Sequence, residues 1–96
     1  MIEVMMNNKS IDAEGHASQL ICNTVSTLMW SLAMCMNKVN AEDLVVVEGD
    51  GKHMVSITPD GITAPILDGF IECFKCLGEQ FPDEVKIFVG NGLEIA

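Results

Sequence analysis

Within Ala17–Asn37 no side chain is charged, and apolar residues recur through this stretch at the three- and four-residue spacing of an α-helix. Trp30 and Met34 add apolar groups to a second side of the same helix. A helix that is apolar on more than one side is buried on more than one side. We therefore predict a central helix over 19–38, with a sheet on one face and a second helix or a partner subunit on the other.

A membrane span needs about 20 predominantly apolar residues, so the same stretch is also tested against that alternative. It carries many polar side chains, namely Ser18, Gln19, Asn23, Thr24, Ser26, Thr27, Ser31 and Asn37. Glu3 and the turn-forming segment 7–9 are also unlike a secretory signal peptide. We interpret the stretch as the core helix of a cytoplasmic protein that makes no contact with a membrane.

Alternating apolar and polar residues predict two strands before this helix. Ile2, Val4 and Met6 share one face of the first strand, and the second strand begins at Ser10. The segment 7–9 joins them as a turn. Two strands joined by so short a turn form an antiparallel hairpin.

After the helix we predict two more strands, a second helix and a closing strand. The β-branched run 44–47, the turn 48–51 and the strand 53–58 form another hairpin, Thr63 caps the second helix, and 85–89 is the last strand. The inner stripe of the second helix is predicted to be Ile66, Phe70, Cys73, Phe74 and Leu77. The order ββαββαβ predicts a single α+β domain over residues 1–96, with two helices packed on a mainly antiparallel sheet.

The charge balance limits the possible partners. The formal net charge is −9, with only five Lys or Arg among 96 residues. Because a phosphate backbone is bound through clustered cations, this composition argues strongly against direct nucleic-acid binding. An acidic surface fits a basic protein or peptide, although negative charge is also an ordinary means of keeping a small protein soluble.

Nothing in the sequence predicts a metal or a cofactor. The four cysteines are expected to be reduced thiols, because nothing marks secretion. Cys73 and Cys76 form a Cys-x-x-Cys pair inside the predicted second helix, and no second pair of zinc ligands accompanies it. Cys35 is interpreted as a packing residue, and His53 as an exposed or partly buried strand histidine.

His16 and Cys22 are the candidate catalytic residues. Cys22 falls near the first turn of the predicted helix, where the helix dipole and a nearby imidazolium favour the nucleophilic thiolate, and where free backbone amides can bind an oxyanion. His16 stands before the turn into that helix and can act as general base. The alternatives are an ordinary buried cysteine and a solvated histidine that continues the polar face of the second strand. Ser26, one turn after Cys22, is a supporting residue, or else donates to a helix carbonyl.

The segments Gly15-His16-Ala17, Leu20-Ile21-Cys22 and Val25-Ser26 resemble the motif of the ribosomal-processing cysteine proteases, which are small bacterial enzymes. The resemblance extends to the order of helices and strands. It implies a thiol protease that forms homodimers, with Cys22 as nucleophile, His16 as base, and Gly15, Ala17 and Ser26 in support. The implied substrate is the N-terminal extension of a large-subunit ribosomal protein, removed in ribosome biogenesis, or a phage capsid or scaffold precursor.

Two departures from that family lie between His16 and Cys22. The family carries a longer, glycine-containing loop there, whereas only the residues 17–21 intervene here. The family also commonly has an acidic residue three positions before the cysteine, where this chain has Gln19. A second hypothesis follows, in which the chain is a catalytically inactive relative that binds or regulates another protein.

Overall fold

The fold is one five-stranded sheet with two helices packed against it. The structure is a computed structural model that describes residues 1–90. Its elements are β1 (Ile2–Met6), β2 (Ser10–Gly15), α1 (Gln19–Lys38), β3 (Glu42–Gly49), β4 (Lys52–Thr58), α2 (Thr63–Gln80) and β5 (Val85–Val89). The predicted α+β fold and its order ββαββαβ are confirmed. The last six residues of the predicted domain, 91–96, lie outside the described residues.

The strands lie in the order β3-β4-β2-β1-β5. Neighbouring strands are antiparallel except for β1 and β5, which run parallel with Ile2 opposite Val85. Buried and exposed residues alternate strictly along β1, because the helices cover one face of the sheet. The first strand of the chain therefore lies beside the last strand described, and both are close to the start of α1.

Helix α1 begins and ends where the sequence predicts. The Ser18 hydroxyl caps it by accepting a hydrogen bond from the backbone N–H of Ile21 at 3.4 Å. One stripe of the helix is buried, formed by Ile21, Val25, Met29, Leu32 and Met36. By length and composition alone the helix would also pass as a membrane span, as core helices of globular proteins do. Here the buried stripe belongs to the hydrophobic core.

Within the described chain α1 is buried on one side only, so the second helix does not cover the other side, and its burial by a partner subunit stays a prediction. Leu20, Trp30 and Met34 are exposed to 66%, 49% and 66%. The sheet and α2 meet the buried stripe and leave the side that carries Trp30 and Met34 uncovered. Val46 is exposed on the edge strand β3, which neighbours α1. We call the exposed apolar residues Trp30, Met34 and Val46 the α1–β3 patch.

Helix α2 differs from the prediction in its cap. The N-cap residue is Ile62, whose side chain makes no capping bond. Two residues earlier, the Asp60 carboxylate accepts hydrogen bonds from the backbone N–H groups of Thr63 at 2.8 Å and Ile62 at 2.9 Å. These bonds, that of Thr63 first, hold the pKa of Asp60 below its ordinary value. The Thr63 hydroxyl in return accepts from the backbone N–H of Asp60 at 3.0 Å.

The buried stripe of α2 is also rotated from the predicted one. Ile66 and Phe70 are only partly buried, and Cys73 is exposed. Leu67 and Ile71, which follow Ile66 and Phe70 in the sequence, are fully buried instead. Adjacent apolar pairs at these positions allow two stripes about 100° apart, and packing selects one of them. The buried residues are Thr63, Leu67, Ile71, Phe74 and Leu77.

Candidate active site

The turn from β2 into α1 places Cys22 in the first turn of the helix. Cys22 is half-buried, and its backbone N–H donates to the carbonyl of Ser18 at 2.9 Å. Its sulfur accepts a hydrogen bond from the backbone N–H of Ala17 at 3.3 Å and lies 3.5 Å from the Ala17 carbonyl oxygen. The Cys22 side chain is thus held against the backbone of the connecting turn, at the positive end of the helix dipole.

Glu84, far along the chain, fixes the same turn. Its carboxylate accepts a hydrogen bond from the backbone N–H of Ser18 at 2.8 Å. The hydroxyl of Ser18 first, and then this N–H, lower the pKa of Glu84. The residue before β5 therefore anchors the residue that caps α1, and through it the helix start that carries Cys22.

A cavity of about 240 Å³ lies next to Cys22. Four parts of the fold form its walls: the start of β1, the end of β2 with the residue that follows it, the first turns of α1, and the β3–β4 turn with the start of β4. Polar and glycine residues around it are Gly15, His16, Cys22, Ser26, Gly49, Asp50, Gly51 and His53. The predicted site residues therefore line one cavity, except Ala17, which contacts the Cys22 sulfur through its backbone.

His16 lies at the rim of this cavity with its side chain 67% exposed. Its Nε2 atom is 3.9 Å from Oδ1 of Asp50 on the β3–β4 turn. No hydrogen bond between His16 and Cys22 is present in the described part of the chain, 1–90. The structure places the two residues on the same cavity, and the hydrogen-bonded Cys-His pair stays a prediction.

Ser26 is hydrogen-bonded to His53, which the sequence analysis interpreted as a strand histidine with no part in the site. The Ser26 hydroxyl and Nε2 of His53 are 3.2 Å apart. By contrast, the hydroxyls of Thr24 and Ser31 donate to helix carbonyls, the role considered for Ser26 as an alternative. One signal pointed to His53: its spacing from Val55 and Ile57, both buried, puts it on the helix-facing side of β4.

The remaining cysteines lie away from the cavity. The thiols of Cys35, Cys73 and Cys76 are free and exposed. The interpretation of Cys35 as a packing residue is wrong, because it falls outside the buried stripe of α1. In residues 1–90 no group of three or more potential metal ligands is found. These three thiols are accessible, unlike the half-buried Cys22.

The sequence matches no protein-family model and no curated protein. Solved structures do match. The essential ribosomal processing protease Prp from Staphylococcus aureus, with a covalently linked product peptide, superimposes with a TM-score of 0.81 at 14% identity, over 94% of this chain and 100% of that one. The chain has the Prp fold. With a substrate peptide, Prp gives a TM-score of 0.82 at 11% identity, over 94% of this chain and 100% of that one.

A second protein with this fold is SMU.848 from Streptococcus mutans. It matches with a TM-score of 0.77 at 23% identity, over 93% of this chain and 96% of that one. At these identities the likeness shows the fold. Two of the matching Prp structures hold a peptide, so this fold is compatible with peptide binding.

Proposed function

We propose that the chain is a cysteine endopeptidase of the ribosomal-processing type, with Cys22 as nucleophile and His16 as general base. One observation carries the proposal: Cys22 lies in the first turn of α1, on the same cavity as His16, in the fold of Prp. The N-terminus of a helix favours a thiolate, and its free amides favour the oxyanion that follows.

The proposed reaction has two stages. His16 takes the thiol proton, and the sulfur of Cys22 attacks the carbonyl carbon of the scissile peptide bond. The carbon–nitrogen bond then breaks, the protonated His16 gives its proton to the leaving amine, and a thioester remains. In the second stage His16 takes a proton from water, the water oxygen bonds to the carbonyl carbon, and the carbon–sulfur bond breaks. The proton returns to sulfur, and the acid product leaves.

His16 has to change its position in this proposal. In the structure its Nε2 faces Asp50, and its side chain is largely exposed. An exposed side chain can change rotamer without displacing the core, on a timescale of about picoseconds to nanoseconds. We propose that the imidazole turns from Asp50 towards Cys22 when substrate fills the cavity.

The proposed substrate is a basic protein or peptide segment. The charged side chain on the cavity rim is Asp50, and no Lys or Arg of the described residues lines the cavity. The net charge of −9 attracts cationic segments. The proposed target is the N-terminal extension of a large-subunit ribosomal protein, or a phage capsid or scaffold precursor.

We also propose a cytoplasmic homodimer. The α1–β3 patch supports it, because large apolar side chains exposed on neighbouring elements are typical of interaction sites. The buried stripe of α1 supports the interpretation of this helix as a core element rather than a membrane span.

A non-catalytic binding module is the second candidate. It is favoured by His16, whose ring lies by Asp50 and makes no hydrogen bond to Cys22 in the described residues. In that case the α1–β3 patch would bind a protein partner, and Cys22 would be an ordinary half-buried thiol.

Alkylation of the four cysteines by iodoacetamide, followed by mass spectrometry across pH, separates the two candidates. If accessibility alone decides the rates, the exposed Cys35, Cys73 and Cys76 react before Cys22. If Cys22 is an activated nucleophile, it reacts about 10-fold faster than they do at pH 6–7, where an ordinary thiol is at most about 3% ionised. His16→Ala then removes this advantage. A Cys22 that reacts more slowly than the exposed thiols, and equally in both proteins, rules out the activated nucleophile.

A further inference from the structure

The Ser26–His53 pair lies on the same cavity as Cys22 but has no part in the Cys-His chemistry described above. Ser26 follows Cys22 by four residues on α1, so the two side chains lie on the same face of the helix. Both line the cavity, and so does His53. The hydroxyl of Ser26 therefore shares the cavity with the Cys22 sulfur and lies 3.2 Å from an imidazole nitrogen of β4.

The His53 ring is held in place by its neighbours. The ring of Trp30 meets it edge-on, with centroids 6.3 Å apart and planes at 83°. The indole N–H of Trp30 donates to the carboxylate of Glu48 at 3.0 Å. Glu48 is the residue opposite His53 across the β3–β4 pair. A half-buried histidine fixed from a helix and from the neighbouring strand is suited to orienting a further group.

We infer that His53 is a positioning residue that orients the Ser26 hydroxyl towards the substrate carbonyl attacked by Cys22. In this arrangement Nε2–H of His53 donates to the Ser26 oxygen, which leaves the hydroxyl hydrogen of Ser26 free. That hydrogen then donates to the carbonyl oxygen as it gains negative charge, together with the backbone amides at the start of α1. The inference rests on the proposed function, and it adds a side-chain donor to the oxyanion site.

Two reactions of Cys22 separate this role from activation of the sulfur. Alkylation by iodoacetamide displaces iodide at a saturated carbon and needs a thiolate but no oxyanion donor. Acetylation by p-nitrophenyl acetate passes through a tetrahedral oxyanion: the sulfur bonds to the carbonyl carbon, and p-nitrophenolate leaves. The ratio of the acetylation rate to the alkylation rate at Cys22 thus measures the contribution of the hydrogen bond donated to the carbonyl oxygen. Both rates are measured in full-length protein in which serine replaces the exposed Cys35, Cys73 and Cys76.

The expected result is a fall in this ratio of about 10- to 100-fold in Ser26→Ala and in His53→Ala, up to the range known for single oxyanion-hole donors. Because the contact is made by Nε2, His53→Gln places an amide N–H at a similar reach and restores the ratio. His53→Asn, whose amide corresponds to Nδ1, does not restore it. The double variant Ser26→Ala/His53→Ala loses no more than Ser26→Ala, since His53 acts through Ser26.

The inference is overturned if His53→Ala leaves the ratio unchanged, if Asn restores it as well as Gln does, or if the two losses add in the double variant. Failure of the proposed function gives a different pattern, in which the alkylation rate of Cys22 does not depend on His16. The test does not depend on the stability of His53→Ala. His53→Gln and Ser26→Ala test the same hydroxyl and leave no cavity beside Trp30.

Discussion

The imidazole of His16 lies against the backbone of Gly51, so close that a β-carbon at residue 51 would stand 2.6 Å from Nε2. Gly51 also has a φ of 68°, and its carbonyl accepts a hydrogen bond from the backbone N–H of Gly15 at 2.9 Å. The β3–β4 turn therefore reaches across to the end of β2 and sets where the His16 ring can lie. A glycine at this position lets the ring lie against the turn, beside Asp50.

Gly51→Ala is expected to displace the His16 ring from the turn, which favours the proposed rotation towards Cys22. The alkylation rate of Cys22 at pH 6–7 should therefore rise above that of the parent, and adding His16→Ala should remove the rise. Gly49→Ala adds a methyl group at the same cavity where it meets no atom within 4 Å, and Gly51→Asn separates the effect of the side chain from that of the φ of 68°, which asparagine tolerates better than alanine. The measurement is the pH profile of Cys22 alkylation in these variants. Equal profiles for Gly49→Ala and Gly51→Ala would show that the turn does not control His16.

Acid is expected to weaken the connection between Glu84 and Ser18. The pKa of Glu84 is lower in the folded protein than its ordinary 4.5, because Ser18 hydrogen-bonds the carboxylate. Such a group stabilises the fold above its ordinary pKa, and this contribution is lost as pH falls through the lower folded value. Urea unfolding between pH 7 and pH 3 should thus show a smaller acid-induced loss in Glu84→Gln than in the parent. Glu79→Gln, on the exposed surface of α2, should follow the parent.

Two glycines of α2 are expected to respond oppositely to alanine. A β-carbon at Gly69 meets nothing within 4 Å, so Gly69→Ala should raise the free energy of unfolding by about 0.5–1 kcal/mol through helix propensity. At Gly78 the added carbon would lie 2.7 Å from Cγ1 of Ile87 on β5. Overpacking costs about 1–3 kcal/mol and offsets the gain, so Gly78→Ala should be less stable than Gly69→Ala. Equal stabilisation by both substitutions in urea unfolding would contradict the packing of α2 on β5.

The α1–β3 patch is expected to mediate the proposed homodimer. Sedimentation equilibrium of the parent should give about twice the chain mass of 10.4 kDa. Met34→Glu places a charge in the patch and should give the single-chain mass, because a buried unpaired carboxylate is strongly unfavourable. Gln80→Glu adds the same charge on exposed α2 and should leave the dimer intact. A parent that sediments as a single chain would remove the dimer from the proposal.

Local patterns were sufficient to predict the elements of this fold. The bounds of α1 follow from an uncharged apolar stretch with Ser18 at its start, and β1 follows from strict alternation. The buried stripe of α2 could not be predicted in this way. Its sequence contains two adjacent apolar pairs, Ile66-Leu67 and Phe70-Ile71. Either stripe satisfies the helical period, and contact with the sheet decides between them.

In the candidate site, too, local sequence predicts some residues and only the complete fold identifies others. His16 and Cys22 are close in sequence, so their common cavity could be anticipated from the turn that joins them. His53 reaches it through the pairing of β4 with β2, where it stands opposite Ala13. Periodicity shows which face of a strand a residue occupies, but the strand that lies next to it is a property of the whole sheet.

The hydrogen bond from Ser18 to Glu84 joins residues 66 positions apart. During synthesis the two halves of this contact are made at different times, and the start of α1 leaves the ribosome well before its anchor. Until residue 84 follows, the turn that carries Cys22 lacks that anchor, and β1 lacks the strand β5 beside it. The order of translation thus delays completion of the surroundings of the Cys22 thiol until almost all of the described chain has emerged.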